Sequence, residues 1–160
     1  MESDEEKNVF GFLTGNAKIL RTDGTRKSIS AIKTGDKIRT FRKNDNGEFE
    51  MVESTVIEIK AKNYSGDLVV GYAMDGKNVV LMPSATPGQC FLGLDGHSVQ
   101  AGEVTKDFLA CYEKMTPGGK SVASSLKGLD PGVMKFSGRV YNIHCVPYET
   151  YIADGFWMHC

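Results

Sequence analysis

The stretch G-R-V-Y-N-I-H-C-V-P-Y-E-T-Y-I-A-D-G-F-W-M-H-C, Gly138 to Cys160, decides the fold class. Val140 to Val146 and Thr150 to Ala153 are rich in β-branched and aromatic residues, as strands are. Pro147, Tyr148 and Glu149 separate them, because proline has no N–H to give to a ladder. Asp154-Gly155 is a tight-turn signal that sends the backbone into Phe156, Trp157 and Met158. His159 and Cys160 follow, so a β-rich domain here brings a histidine-cysteine pair to its end, a pattern that points to chemistry at the ends of the domain.

Outward from this stretch, Asp-Gly or Asn-Gly pairs recur at residues 23-24, 46-47, 75-76, 95-96 and 154-155. Strand-like runs lie between them: Asn8 to Leu13, Ala17 to Arg21, Lys37 to Phe41, Glu50 to Lys60, Asp67 to Met74, Asn78 to Met82 and Gln89 to Leu92. Ile29 and Ile32 share one face of a single helical turn, which Gly35 is placed to end in a left-handed conformation. Asp107 to Tyr112 reads as a strand or a short helix. Thr116 to Gly132, rich in Gly, Ser, Lys and Pro, reads as a long surface loop. With no long amphipathic pattern, the expected class is all-β.

The 160 residues suit one domain, expected over residues 9–160 behind a disordered acidic tail at 1–8. Nineteen basic and 20 acidic residues leave a net charge of −1, which offers no footprint for nucleic acid or an anionic membrane. No apolar run approaches the ~20 residues that span a bilayer. The acidic start is unlike a signal peptide. A soluble, cytoplasmic monomer without cofactors is expected. Cys90, Cys111, Cys145 and Cys160 form no C-x-x-C pair, so a disulfide framework is not expected. Cys111, in an apolar run, reads as a small buried hydrophobe.

Three segments in order resemble the Hint superfamily, which comprises inteins, bacterial intein-like domains and the hedgehog autoprocessing domain. The first runs from Leu13-Thr14-Gly15-Asn16 through Asp23-Gly24 to Ile29-Ser30-Ala31-Ile32-Lys33-Thr34-Gly35-Asp36. The second, Thr86-Pro87-Gly88-Gln89 with Asp95-Gly96 and Ala101-Gly102-Glu103-Val104, is similar to the family's T-x-x-H segment, D-G turn and A-G-[DE]-L. The third, Val140-Tyr141-Asn142-Ile143 through Asp154-Gly155 to His159, is similar to the closing V-Y-[DN]-[LI] strand, turn and final histidine. The resemblance covers residues 11 to 160. It implies a horseshoe of two pseudo-symmetric β-rich halves whose termini meet at the centre, acting on flanking protein segments in cis.

It also implies chemistry. A first-residue nucleophile attacks the preceding carbonyl, the T-x-x-H residues hold and polarise that amide, and a near-terminal histidine assists an asparagine that cleaves the far bond. This sequence departs from that set. The nucleophile position falls at Gly11 or Phe12, neither of which carries a thiol or hydroxyl. Gln89 replaces the T-x-x-H histidine and cannot titrate near neutral pH. Glu149 stands where a histidine often precedes the last turn, and Cys160 stands where asparagine is expected. Thr86 and His159 match.

Three readings follow. The domain has lost or reduced its self-processing and serves a structural or interaction role. Alternatively, Cys160 attacks the amide before Gly11 directly, with His159 as its base and with Cys90 and Cys145 as further candidate nucleophiles. Cleavage would then fall near Phe10/Gly11. The third reading is a metal module built from His144, His159, Cys145, Cys160 and Cys90, although His144 and Cys145 point to opposite faces of a strand. His97 reads as a surface loop histidine, His144 as solvent-facing, and Trp157 as an anchor for the last strand.

Overall fold

The computed structural model describes residues 11–159. The tail expected at 1–8, the strand start at Asn8 to Phe10, and Cys160 lie outside the described residues. In chain order the strands are β1 (Leu13–Thr14), β2 (Lys18–Leu20), β3 (Arg26–Ser28), β4 (Lys37–Lys43), β5 (Phe49–Asp75), β6 (Asn78–Leu81) and β7 (Cys90–Leu92). They continue with β8 (Ser98–Gln100), β9 (Ala110–Met115), β10 (Ser121–Leu126), β11 (Asp130–Val146), β12 (Thr150–Ala153) and β13 (Phe156–His159). Single 3-10 turns at Ile29–Ala31 and Ala101–Glu103 are the helical elements among the described residues.

Two antiparallel sheets result, as an all-β reading requires. One has the order β1-β11-β5-β4, with β6 on β5; the other runs β10-β9-β13-β12-β2-β3, with β7 between β13 and β8. The spine of the first is the long pair of β11 and β5, in register from Asp130↔Tyr72 to Val146↔Thr55 with a bulge between His144 and Cys145. The sequence suggested two separate strands within β5. They are one because the polar bridge Ala61 to Ser65 finds ladder partners in Tyr141 to Ser137. Pairing, not local propensity, holds it extended.

The loop expected at Thr116 to Gly132 is corrected by the structure. Ser121–Leu126 is a strand against β9, from Ser121↔Met115 to Leu126↔Ala110, and β11 already begins at Asp130. Serines and glycines disguised it, but Leu126 and Leu129 are buried and the β9 edge supplies the hydrogen bonds. Gly35 also differs from expectation. The 3-10 turn has ended by Ile32, which is extended, and Gly35 (φ 94°) serves a separate turn closed by Asp36 N–H to the Lys33 carbonyl at 3.0 Å.

The main core gathers Leu13, Ile19, Ile29, Ile38, Ile143, Tyr151 and Met158 between the sheets. A second cluster holds Leu20, Phe41, Leu92, Cys111, Ile152 and Trp157. Trp157 packs edge-to-face on Phe41 and Phe49 and anchors β13, as its position suggested. Cys111 is buried in this cluster, and burial pushes its thiol up to about 12. At the β12–β13 hairpin, Asp154 (φ 50°) and Gly155 (φ 88°) both take the left-handed conformation of a two-residue hairpin turn. Among the described residues, no helix is long and apolar enough to cross a membrane.

Candidate functional site

The site is assembled where the start of the described chain meets β7 and β13. Thr86 to Gln89 form a turn closed by Gln89 N–H to the Thr86 carbonyl at 3.0 Å. The second 3-10 turn pins it from behind, through Ala101 N–H to the Gln89 carbonyl (2.7 Å) and Gly102 N–H to the Pro87 carbonyl (3.0 Å). The fixed turn presents Thr86 to Phe12. Phe12 N–H donates to Thr86 Oγ1 at 3.0 Å, and Thr86 N–H donates to the Phe12 carbonyl at 2.9 Å.

On the other side, Asn142 of β11 donates its Nδ2–H to the Gly11 carbonyl at 2.8 Å. Its Oδ1 accepts the Ile143 N–H (2.8 Å) and the Tyr151 hydroxyl (3.0 Å), which fixes the carboxamide so that its N–H₂ end faces Gly11. The Gly11–Phe12 amide is therefore held at both its oxygen and its nitrogen, in a buried setting where such bonds are strong. Phe12 is itself buried, and the Lys62 ammonium lies 4.5 Å from its ring centroid.

Gln89 joins this end of the chain to the other. It is fully buried, and Nε2 donates to the His159 carbonyl at 2.9 Å and the Cys90 carbonyl at 3.3 Å. Its Oε1 has no partner among the described residues. Such a buried orphan costs ~1–3 kcal/mol.

Gly11, Phe12, Thr86, Gln89 and the His159 backbone thus come together. The other candidates do not join them. Cys90 opens β7 just after the turn, with Sγ 3.9 Å from the Gly88 carbonyl. It sits directly across the ladder from His159, half-buried, with burial and then Glu103 raising its pKa, so the thiol stays protonated near neutral pH. Cys145 is in the main core, its thiol 3.3 Å from the Thr150 carbonyl. His144 lies on the outer side, 38% exposed, with Nε2 3.6 Å from a Glu149 carboxylate oxygen. His97 is exposed beside Asp95 in the turn between β7 and β8. No three His, Cys, Asp or Glu among the described residues gather to hold a metal ion.

Sequence reasoning gave Asn142 and Lys62 no role. Asn142 left a signal, a carboxamide at the [DN] position of an otherwise apolar strand start. Lys62 left none, because its nearness to Phe12 arises only through β11, which pairs β1 on one side and β5 on the other.

No family model matches the chain, and no curated protein does. Solved structures do. A bacterial intein-like domain from Clostridium thermocellum is 22% identical, with 94% of this chain and 98% of that one covered and a TM-score of 0.63. A DnaB intein from Synechocystis sp. is 14% identical (94% and 99% covered, TM-score 0.70), and the TvoVMA intein is 16% identical (93% and 97%, TM-score 0.71). With its two antiparallel sheets matched over nearly the whole length, the chain has the Hint-type fold of inteins and intein-like domains.

Proposed function

We propose that the chain is an intein-like self-processing domain, working in cis on the Gly11–Phe12 bond, and that it is arrested because no nucleophile stands there. One observation carries this reading: a buried peptide bond gripped at its carbonyl oxygen by Asn142 and at its nitrogen by Thr86. Asn142 Nδ2–H stands where negative charge would grow on the Gly11 oxygen during attack, the role of an oxyanion donor. Thr86 fixes the amide's orientation. Phe12, whose nitrogen Thr86 holds and whose preceding carbonyl Asn142 holds, takes the family's first-residue position, and a phenyl ring cannot attack. Gln89 stands at the family histidine's position but gives its Nε2–H to the His159 and Cys90 carbonyls, and it has no group that titrates near neutral pH.

The test supplies the missing atom. In Phe12→Cys, the new sulfur bonds the Gly11 carbonyl carbon, the carbon–nitrogen bond breaks and the freed amine takes a proton. Dithiothreitol then exchanges on the thioester and carries off residues 1–11. Mass spectrometry is expected to show that loss for Phe12→Cys and one intact mass for the natural chain. A folded Phe12→Cys that stays intact in dithiothreitol overturns the proposal.

One contact favours a second reading. Gln89, which packs against Gly11, also holds the carbonyl of His159, the residue before Cys160. Direct attack by a Cys160 thiolate on the Gly11 carbonyl would form a thioester on Cys160, break the carbon–nitrogen bond and release the Phe12 amine, which takes a proton. Dithiothreitol or water would then free residues 1–11, without any change at residue 12. Slow cleavage of the natural chain, abolished by Cys160→Ser, would then replace the arrested reading.

A further inference from the structure

Gly11 has room for a carbonyl and none for a side chain. A Cβ on Gly11 would lie 2.0 Å from Gln89 Cα, 2.4 Å from its nitrogen and 2.5 Å from its Cβ, where real contacts essentially never fall below 3.0 Å. Two of those three atoms are backbone and cannot swing aside as the end of a flexible side chain would. This glycine differs in kind from Gly35, Gly76 and Gly96, which have open space around them and left-handed φ values, and so serve turns.

Whether the wall can yield decides the matter. Gln89 is tied by its N–H to the Thr86 carbonyl (3.0 Å), by its carbonyl to Ala101 N–H (2.7 Å) and by its side chain to the His159 carbonyl (2.9 Å). Gly11 is tied on its far side by Asn142 (2.8 Å), and its successor by Thr86 (3.0 Å). Neither partner can retreat by the ångström or more required without breaking one of these bonds.

We infer that the site is selective for glycine as the residue whose carbonyl is held, so that the acyl group it can process is a glycyl group at the end of an upstream polypeptide. This rests on the reading of Gly11–Phe12 as the bond the domain works on. A bulkier residue would push the carbonyl off the Asn142 amide before any chemistry began. The product of attack would be an upstream segment ending in glycine.

Two arms test it. In the natural chain, Gly11→Ala is compared with the parent by nitrogen–proton NMR. The Asn142 carboxamide and the Phe12 amide are expected to move to solvent-like positions and lose exchange protection, while β5, β9 and β12 keep their shifts. An unfolded Gly11→Ala counts the same way, since one added methyl changes no charge, donor or acceptor. A native spectrum with Asn142 and Phe12 undisturbed overturns the inference. In the second arm, dithiothreitol cleavage of Phe12→Cys is compared with that of Gly11→Ala/Phe12→Cys, with a loss of about 100-fold expected from an ångström of misplacement. Equal rates overturn the glycine selectivity. If Phe12→Cys alone is silent, the assignment of the bond fails, and the spectrum of Gly11→Ala still decides the steric claim.

Discussion

Replacing Phe12 by alanine sets the natural residue's structural value against the function it displaces. Phe12 is 7% exposed, its backbone is held by Thr86, and the Lys62 ammonium lies 4.5 Å from its ring centroid. Truncating a buried phenylalanine removes its transfer energy and leaves a cavity, together ~3–5 kcal/mol. Within that, the cation–ring contact contributes ~0.5–2 kcal/mol. For a chain of this size each kcal/mol moves Tm by ~2–4 °C, so Phe12→Ala should lower it by ~6–20 °C. The assay is thermal unfolding of the parent, Phe12→Ala, Lys62→Met and the double variant. Phe12→Ala should cost less in the Lys62→Met background, by the cation–ring share, because the two residues touch. A drop under about 2 °C, or strict additivity with Lys62→Met, refutes the packing argued for this junction. If the costs hold, the phenyl ring stabilises the fold at the position where a thiol would restore chemistry, and Phe12→Cys will work only at reduced stability.

Two other outcomes are expected. Asp154 is largely buried, and that burial raises its pKa against the opposing Lys18 backbone hydrogen bond and the Lys18 and Arg26 charges. A raised folded pKa means its contribution is full below the unfolded value of ~3.9 and is lost as pH rises through the folded one. Asp154→Asn, which also suits the left-handed φ of 50°, should therefore match or exceed parent stability at pH 7 and lose that advantage at pH 3, measured by urea midpoints. Among the cysteines at 90, 111 and 145, iodoacetamide should label only half-exposed Cys90 in the native chain, and Cys111 and Cys145 only after unfolding, as read by peptide mapping. Native labelling of Cys111 would contradict its burial.

The sequence by itself determined the β architecture and its turns, since these are local matters. Asp-Gly and Asn-Gly pairs need φ values that only a few residues tolerate, and Asp23-Gly24, Asp95-Gly96 and Asp154-Gly155 turn where the spelling says. The segments around Gly15, Thr86 and His159 were legible as one ordered pattern, and Thr86 and Gln89 do meet Phe12 and Gly11. Where composition misled, at Ser121 to Leu126, the strand owes its form to β9 and not to its own serines.

Only the tertiary structure decided which amide is held and by what. Asn142 reaches Gly11 across 131 residues, and Thr86 reaches Phe12 across 74, distances over which no local pattern carries information. It also distinguished Phe12 from Gly11, giving one the gripped nitrogen and the other the gripped carbonyl. It buried Cys145 in the main core, and it placed a backbone 78 positions further on where a Cβ on Gly11 would have to be. Turns are determined by the few residues within them. Close approaches and buried hydrogen bonds depend on where the sheets place residues far apart in the chain.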